Sequence, residues 1–172
     1  QGLDISDDDV VMPVVPMFHV NAWGMPFTST AAGAKHVYPG PSPDPADIAG
    51  LIEDEEVTVT AGVPTVWLGL QEYIQAGNDV DLSSLEEVYI GGAAAPESLI
   101  REYDELGVTV VHPWGMTETS PIGSTATLKR SLQDADYETA LAKRTKQGAR
   151  VPGLGFYVVC HARAGDTPRR TA

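Results

Sequence analysis

Only one cysteine, Cys160, occurs in the 172 residues. An internal disulfide is therefore excluded, and a lone thiol suits a reducing, cytoplasmic setting. Long apolar runs are also absent. No stretch approaches the ~20 residues that cross a bilayer, so stable membrane insertion is not expected. Residues 1–9 are acidic and polar and begin with Gln1 rather than Met, so they do not resemble a signal peptide. Cations are scarce, with 11 Lys and Arg against 24 Asp and Glu and a formal net charge of −13. That balance argues against nucleic acid and against anionic membrane surfaces, both of which need a basic face. His19, His36, His112 and His161 show no metal-ligand spacing with the cysteine or with each other. No internal repeat and no low-complexity linker occurs.

The acidic residues are spread along the chain, in Asp7–Asp9, Asp54–Glu56 and Glu86–Glu87. They read either as an ordinary solvated surface or as adaptation to high salt, where screening relieves self-repulsion.

Short apolar runs alternate with amphipathic segments in a chain long enough for one domain with a real core. The expected fold is α/β, with a mostly parallel sheet and flanking helices. Strands are predicted at Val10–Val15 (interrupted by Pro13), Lys35–Tyr38, Val57–Ala61, Val88–Ile90 and Thr109–Val111. Asp44 is placed to cap a helix with Pro45 in its first turn and Asp47 at its positive end. Its apolar stripe is Ile48, Leu51 and Ile52. A second helix carries Val66, Trp67, Leu70, Tyr73 and Ile74 and ends at Gly77. A third carries Leu99, Ile100, Tyr103 and Leu106 and stops at Gly107. Leu154–Val159 reads as another strand. The tail from Cys160 does not continue the pattern: it reads as a basic tail, a frame slip or an artificial terminus.

Ligands of parallel sheets gather at the carboxyl ends of strands. Two glycine or aromatic motifs sit there, and a third segment of the chain also carries chemistry. In His112-Pro113-Trp114-Gly115-Met116-Thr117-Glu118-Thr119, Trp114 can stack on a purine and Gly115 permits close backbone approach. Thr117 can hydrogen-bond a phosphate, and Glu118 offers a hard oxygen to a cation. In Gly91-Gly92-Ala93-Ala94-Ala95-Pro96, paired glycines let a planar ligand lie against the backbone. The third segment, Pro16–Gly24, holds His19 and Trp23.

The first of these resembles the Y-G-x-T-E motif of the adenylate-forming (AMP-binding) superfamily. The second resembles that superfamily's G-G-x-x-x-P segment, and Pro16-Met17-Phe18-His19-Val20-Asn21-Ala22-Trp23 is similar to a segment of medium- and long-chain fatty acyl-CoA synthetases. The similarity runs from Asp9 to about Val159. It implies that Trp114 flanks adenine, with Gly91, Gly92, Ala93, His112, Pro113 and Gly115 around the nucleotide. It further implies that Thr117 contacts the α-phosphate and that Glu118 binds Mg2+. His19 would lie near the acyl carboxylate, Trp23 would gate the acyl tunnel, and Val63 and Gly92 would face the acyl pocket. His112-Pro113-Trp114 departs from the commoner Gly-Tyr pair, which bears on the adenine contact.

The implied activity is ATP-dependent fatty acid–CoA ligation, with ATP or AMP, Mg2+, fatty acid and coenzyme A as cofactors and partners. A homodimer is left open. Residues 1–159 correspond to the central part of the adenylation domain, and 160–172 to the anomalous tail. The superfamily's phosphate loop and C-terminal lysine do not occur in the chain, so it is expected to be an internal piece that is inactive alone. The alternatives are a degenerate nucleotide-binding pseudoenzyme and a non-catalytic α/β interaction domain.

Overall fold

The computed structural model describes residues 3–132 and 134–151. Strand β1 (Val10–Pro13) leads into α1 (Val20–Trp23), a single left-handed turn, and then α2 (Met25–Ala32). Next come β2 (Lys35–His36), α3 (Pro45–Glu55), β3 (Val59–Gly62), α4 (Pro64–Gln75) and β4 (Glu87–Ile90). They are followed by α5 (Glu97–Glu105), β5 (Thr109–Val111), β6 (Trp114–Gly115) and β7 (Ile122–Thr125). Helix α6 (Tyr137–Arg144), β8 (Ala149–Arg150) and two 3-10 turns, Thr117–Thr119 and Arg130–Leu132, complete the described elements.

Strands β2-β1-β3-β4-β5, in that order, form a parallel sheet. Alternate side chains point to opposite faces of a strand, which divides the core in two. On one face Met12, Val88 and Ile90 pack with Ile48, Ile52, Trp67, Leu70, Leu99, Ile100 and Tyr103 from α3, α4 and α5. On the other, Val11, Val59, Ala61 and Tyr89 pack with Leu3, Ile5 and Met25 from the N-terminal segment and α2. Buried Thr60 donates to the Met12 carbonyl at 2.6 Å and so adds no unpaired hydroxyl to the core.

The sequence places all five strands of this sheet, but its boundaries move. β1 stops at Pro13 although Val14 and Val15 are apolar. Val10 and Val14 turn their bonds toward β3, through Thr58 N–H to Val10 O and Val14 N–H to Ala61 O, both 2.9 Å. Pro13 therefore faces the β2 side, where pairing reaches only Val11, and its missing N–H breaks no ladder bond. Val37 and Tyr38 fall outside β2, and Val57 and Thr58 precede β3.

Asp44 caps α3 as expected. Asp47 N–H donates to Asp44 Oδ1 at 2.9 Å, and Asp44 N–H returns to Asp47 Oδ2 at 3.1 Å. Leu106 departs from its predicted stripe. It is the residue that closes α5 and is 44% exposed.

Two helices lack any clear sign in the sequence. In α2 the hydroxyls of Thr28, Ser29 and Thr30 fold back on the carbonyls of Gly24, Met25 and Pro26, at 3.3, 2.8 and 2.7 Å. This satisfies polar side chains in a segment that reads poorly as a helix. Helix α6 buries only Leu141 and is capped by Asp136, which accepts from Thr139 N–H at 2.9 Å. A second sheet, β6-β7-β8, is antiparallel and also unforeseen. The predicted strand at Leu154–Val159 and the tail from Cys160 lie outside the described residues.

Candidate functional site

Segments following β1, β3, β4 and β5 meet at the carboxyl edge of the parallel sheet, where helix-covered sheets leave a crevice. The crevice holds a cavity of about 310 Å³. Its lining includes His19, Trp23, Gly91, Gly92, Pro113, Trp114, Gly115, Thr117 and Glu118. Three stretches far apart in sequence thus converge on one space.

The first wall depends on unusual backbone. Val20, Asn21, Ala22 and Trp23 have φ of 48°, 51°, 50° and 56°, and Gly24 follows at 72°. Left-handed residues other than glycine are disfavoured by roughly 1–2 kcal/mol each, and a β-branched residue such as Val20 is especially uncomfortable. The turn is closed by Gly24 N–H, which donates to Val20 O at 3.1 Å and Asn21 O at 3.0 Å. Its consequence is positional: Trp23 reaches back over the sheet edge, and exposed His19 stands at the mouth.

The second wall is bare backbone. A Cβ at Gly91 would stand 3.2 Å from Trp23 Cη2 and 3.2 Å from Pro113 Cγ. At Gly92, whose φ is +78°, it would meet Val63 Cγ1 at 3.3 Å and Trp23 Cζ2 at 3.6 Å. The glycine pair therefore lets three neighbouring segments close up.

The third wall is the β6–β7 hairpin. Trp114 pairs with Ser124 and Gly115 with Ile122, with a register shift between them. A Cβ on Gly115 would run into the Pro121 carbonyl, and one on Gly123 would stand 2.5 Å from Trp114 Cζ3. The indole thus lies on the Gly123 backbone while lining the cavity. Inside the loop, the Thr119 hydroxyl accepts from Met116 N–H at 3.0 Å, and Met116 N–H also donates to Pro121 O at 2.9 Å. Thr117 and Glu118 sit on the resulting 3-10 turn and are exposed.

Among the described residues no group of three His, Cys, Asp or Glu side chains could by itself hold a metal. The cavity offers a single carboxylate, Glu118. That donor set fits Mg2+, which commonly takes one or two carboxylates and completes its shell with phosphate oxygens and water.

Three expected site residues do not line this cavity. Val63 is 38% exposed and stands beside Gly92, just outside it. Ala93 is exposed on the turn. His112 is buried behind the wall, 1% exposed. Ala95 N–H approaches its Nε2 at 3.4 Å, and its Nδ1 faces the Thr145 carbonyl at 3.3 Å. Burial pushes this imidazole below its ordinary pKa, outweighing the carbonyls of Ala93 and Thr145. Conversely, Val20, Met116, Pro121 and Ile122 line the cavity without having been singled out. The left-handed turn brings Val20 in, and the hairpin that returns Pro121 to Met116 brings in the other three.

The sequence model describing AMP-binding enzymes matches residues 1–171. A long-chain-fatty-acid–CoA ligase of Thermus thermophilus is 46% identical over 151 residues, covering 88% of this chain and 28% of that protein. A medium-chain-fatty-acid–CoA ligase of Ectopseudomonas oleovorans is 45% identical over 158 residues, covering 91% and 29%. The chain thus spans less than a third of the length of these curated relatives. Among solved structures, the N-terminal domain of FACL13 from Mycobacterium tuberculosis superposes with a TM-score of 0.72 at 25% identity, covering 87% of this chain and 35% of that one. The o-succinylbenzoate–CoA synthetase of Bacillus subtilis, in complex with ATP and magnesium, gives 0.63 at 27% identity, covering 78% and 27%.

Proposed function

The chain belongs to the AMP-binding enzyme family, and we propose that it forms the central part of the adenylation domain of an ATP-dependent fatty acid–CoA ligase. The observation that carries this reading is the convergence of Trp114, Gly92, Thr117 and Glu118 with His19 and Trp23 on one cavity. The names of its ligase relatives point to a fatty acid as the carboxylate.

In this reading Trp114 and the backbone of Gly91 and Gly92 hold the adenine between an aromatic face and a flat peptide surface. Gly115 and Pro113 shape the same wall. Thr117 donates to the α-phosphate. Glu118 would hold Mg2+, which supplies charge neutralisation at the phosphates when bound. His19 lies toward the acyl carboxylate, Trp23 closes over the acyl chain, and Val63 borders that pocket.

The reaction joins a carboxylate oxygen to the α-phosphorus of ATP and releases pyrophosphate. The thiol of coenzyme A then attacks the acyl carbon and AMP leaves. These residues contribute by positioning and by stabilising charge. A cytoplasmic location belongs to the same proposal. Among the described residues no helix is long and apolar enough to cross a membrane.

The test is binding of a non-hydrolysable dodecanoyl-adenylate analogue to the 172-residue chain, followed by calorimetry. Trp114→Ala is expected to weaken binding about tenfold or more, the worth of one base–aromatic stack. Glu118→Gln is expected to weaken ATP in the presence of magnesium while leaving AMP nearly unaffected. A chain that binds neither the analogue nor AMP would sink the proposal.

A further inference from the structure

We propose that His112 is a positioning residue whose imidazole ties the Gly91–Pro96 turn to the end of α6 and so holds the loop carrying Trp114, Thr117 and Glu118. The inference rests on the nucleotide-site reading of that loop, and it gives His112 a place behind the site.

Hydrogen-bond chemistry assigns the ring. Ala95 N–H can only donate, so Nε2, 3.4 Å away, accepts. The Thr145 carbonyl can only accept, so Nδ1, 3.3 Å away, carries the proton. A neutral imidazole protonated on Nδ1 satisfies both at once, with the Ala93 carbonyl also facing the ring. Burial depresses its pKa and so favours the neutral ring.

Each bond is long, and the pair matters because both ends are anchored. Thr145 directly follows Arg144, whose guanidinium makes two 2.7 Å bonds to Asp104 of α5 and one of 3.2 Å to the Val110 carbonyl of β5. Tyr137 at the start of α6 adds a 2.9 Å bond to Asp104. The Thr145 carbonyl is thus a fixed point on the sheet's helical layer. On the other side, the Gly91–Pro96 turn presses on Pro113, the residue after His112. A buried imidazole between these points connects α5, α6, the glycine turn and the candidate nucleotide loop. Few other side chains can do this, because one ring must both accept and donate, in opposite directions.

The test compares the 172-residue chain with His112→Phe and His112→Gln. Phe keeps much of the shape and leaves Ala95 N–H and Thr145 O unpaired. Gln retains an acceptor and a donor. Hydrogen exchange without nucleotide is expected to quicken roughly tenfold in His112→Phe at Ala95 and at the amides of residues 114–118, the loss of one buried bond. Exchange in α3 should be unchanged, and Gln should restore most of the protection. Binding of the dodecanoyl-adenylate analogue should weaken about tenfold in Phe and less in Gln. Unchanged exchange in His112→Phe, equal acceleration in α3, or a Gln variant no better than Phe would each overturn the proposal. If Phe fails to fold, as judged by circular dichroism, Gln decides: protection close to wild type supports the role, and lost protection rejects it. Failure of the unaltered chain to bind the analogue would reject the nucleotide reading, while the exchange result would still judge His112.

Discussion

The indole of Trp23 reaches the backbone of Gly91 so closely that a methyl group built there would stand 3.2 Å from its Cη2 atom. The same methyl would press on Pro113, from its ring at 3.2 Å and its carbonyl at 3.3 Å. Gly91 does not have a positive φ, so the requirement is one of space alone. Gly91→Ala is expected to destabilise the chain by about 1–3 kcal/mol, the usual penalty for overpacking, and to weaken adenylate-analogue binding. Gly50→Ala is the control. It lies in α3 with nothing within 4 Å of the added Cβ, and it should stabilise by about 0.5–1 kcal/mol. Urea unfolding of both variants checks this, and a neutral Gly91→Ala would show that Trp23 moves freely.

Val20 opens the left-handed turn at a φ of 48°. A glycine there relieves roughly 1–2 kcal/mol of backbone conflict and gives back up to about 1 kcal/mol in unfolded-chain entropy. Val20→Gly is therefore expected to be neutral or stabilising by up to about 1 kcal/mol, although most large-to-glycine changes destabilise. A clear drop in melting temperature would mean that the Val20 side chain contributes more than its backbone conformation takes away.

Arg144 and Asp104 are 14% and 17% exposed at their side chains and meet through paired bonds. Asp104→Asn leaves a largely buried guanidinium without its counter-charge, and should lose about 3 kcal/mol. Replacing both, as Asp104→Leu with Arg144→Met, should recover most of that loss, because no charge is then stranded. A double variant as unstable as the single one would contradict this account. The ion pair also holds Thr145, so Asp104→Asn should quicken exchange at Ala95 as His112→Phe does.

His112 supplies a pH dependence with a definite sign. Burial places its native pKa below the ordinary 6.5. Between those two values the unfolded chain binds more protons than the native one. Its contribution to stability is complete above 6.5, is lost as pH falls through that value, and levels off below the native pKa. Glu87 works in the opposite sense, since burial raises its carboxyl above 4.5. Subtracting the profile of His112→Gln removes the Glu87 effect and leaves that of His112. Parallel stability curves from pH 5 to 8 would show that His112 is not held neutral.

The alternating strands and helices, the helix start at Asp44 and the candidate site motifs were legible in the sequence because each is a local property. Period-two and helical apolar spacing mark the elements. A glycine pair or a Thr-Glu step after a strand marks where ligands can reach backbone and side chain. The left-handed turn at Val20–Trp23 was not legible, because no residue in it is one that favours that conformation except Asn21; packing of Trp23 on Gly91 and Gly92 selects it. Helix α2 was hidden by its hydroxyl side chains, which are satisfied only once they fold onto their own carbonyls. The role of His112 was hidden for a similar reason. Its neighbours in sequence suggest a ligand contact, but its partners, Ala95 and Thr145, arrive from other elements. A sequence can specify which groups are available to bond; which way a buried ring faces depends on the segments that tertiary packing brings to either side of it.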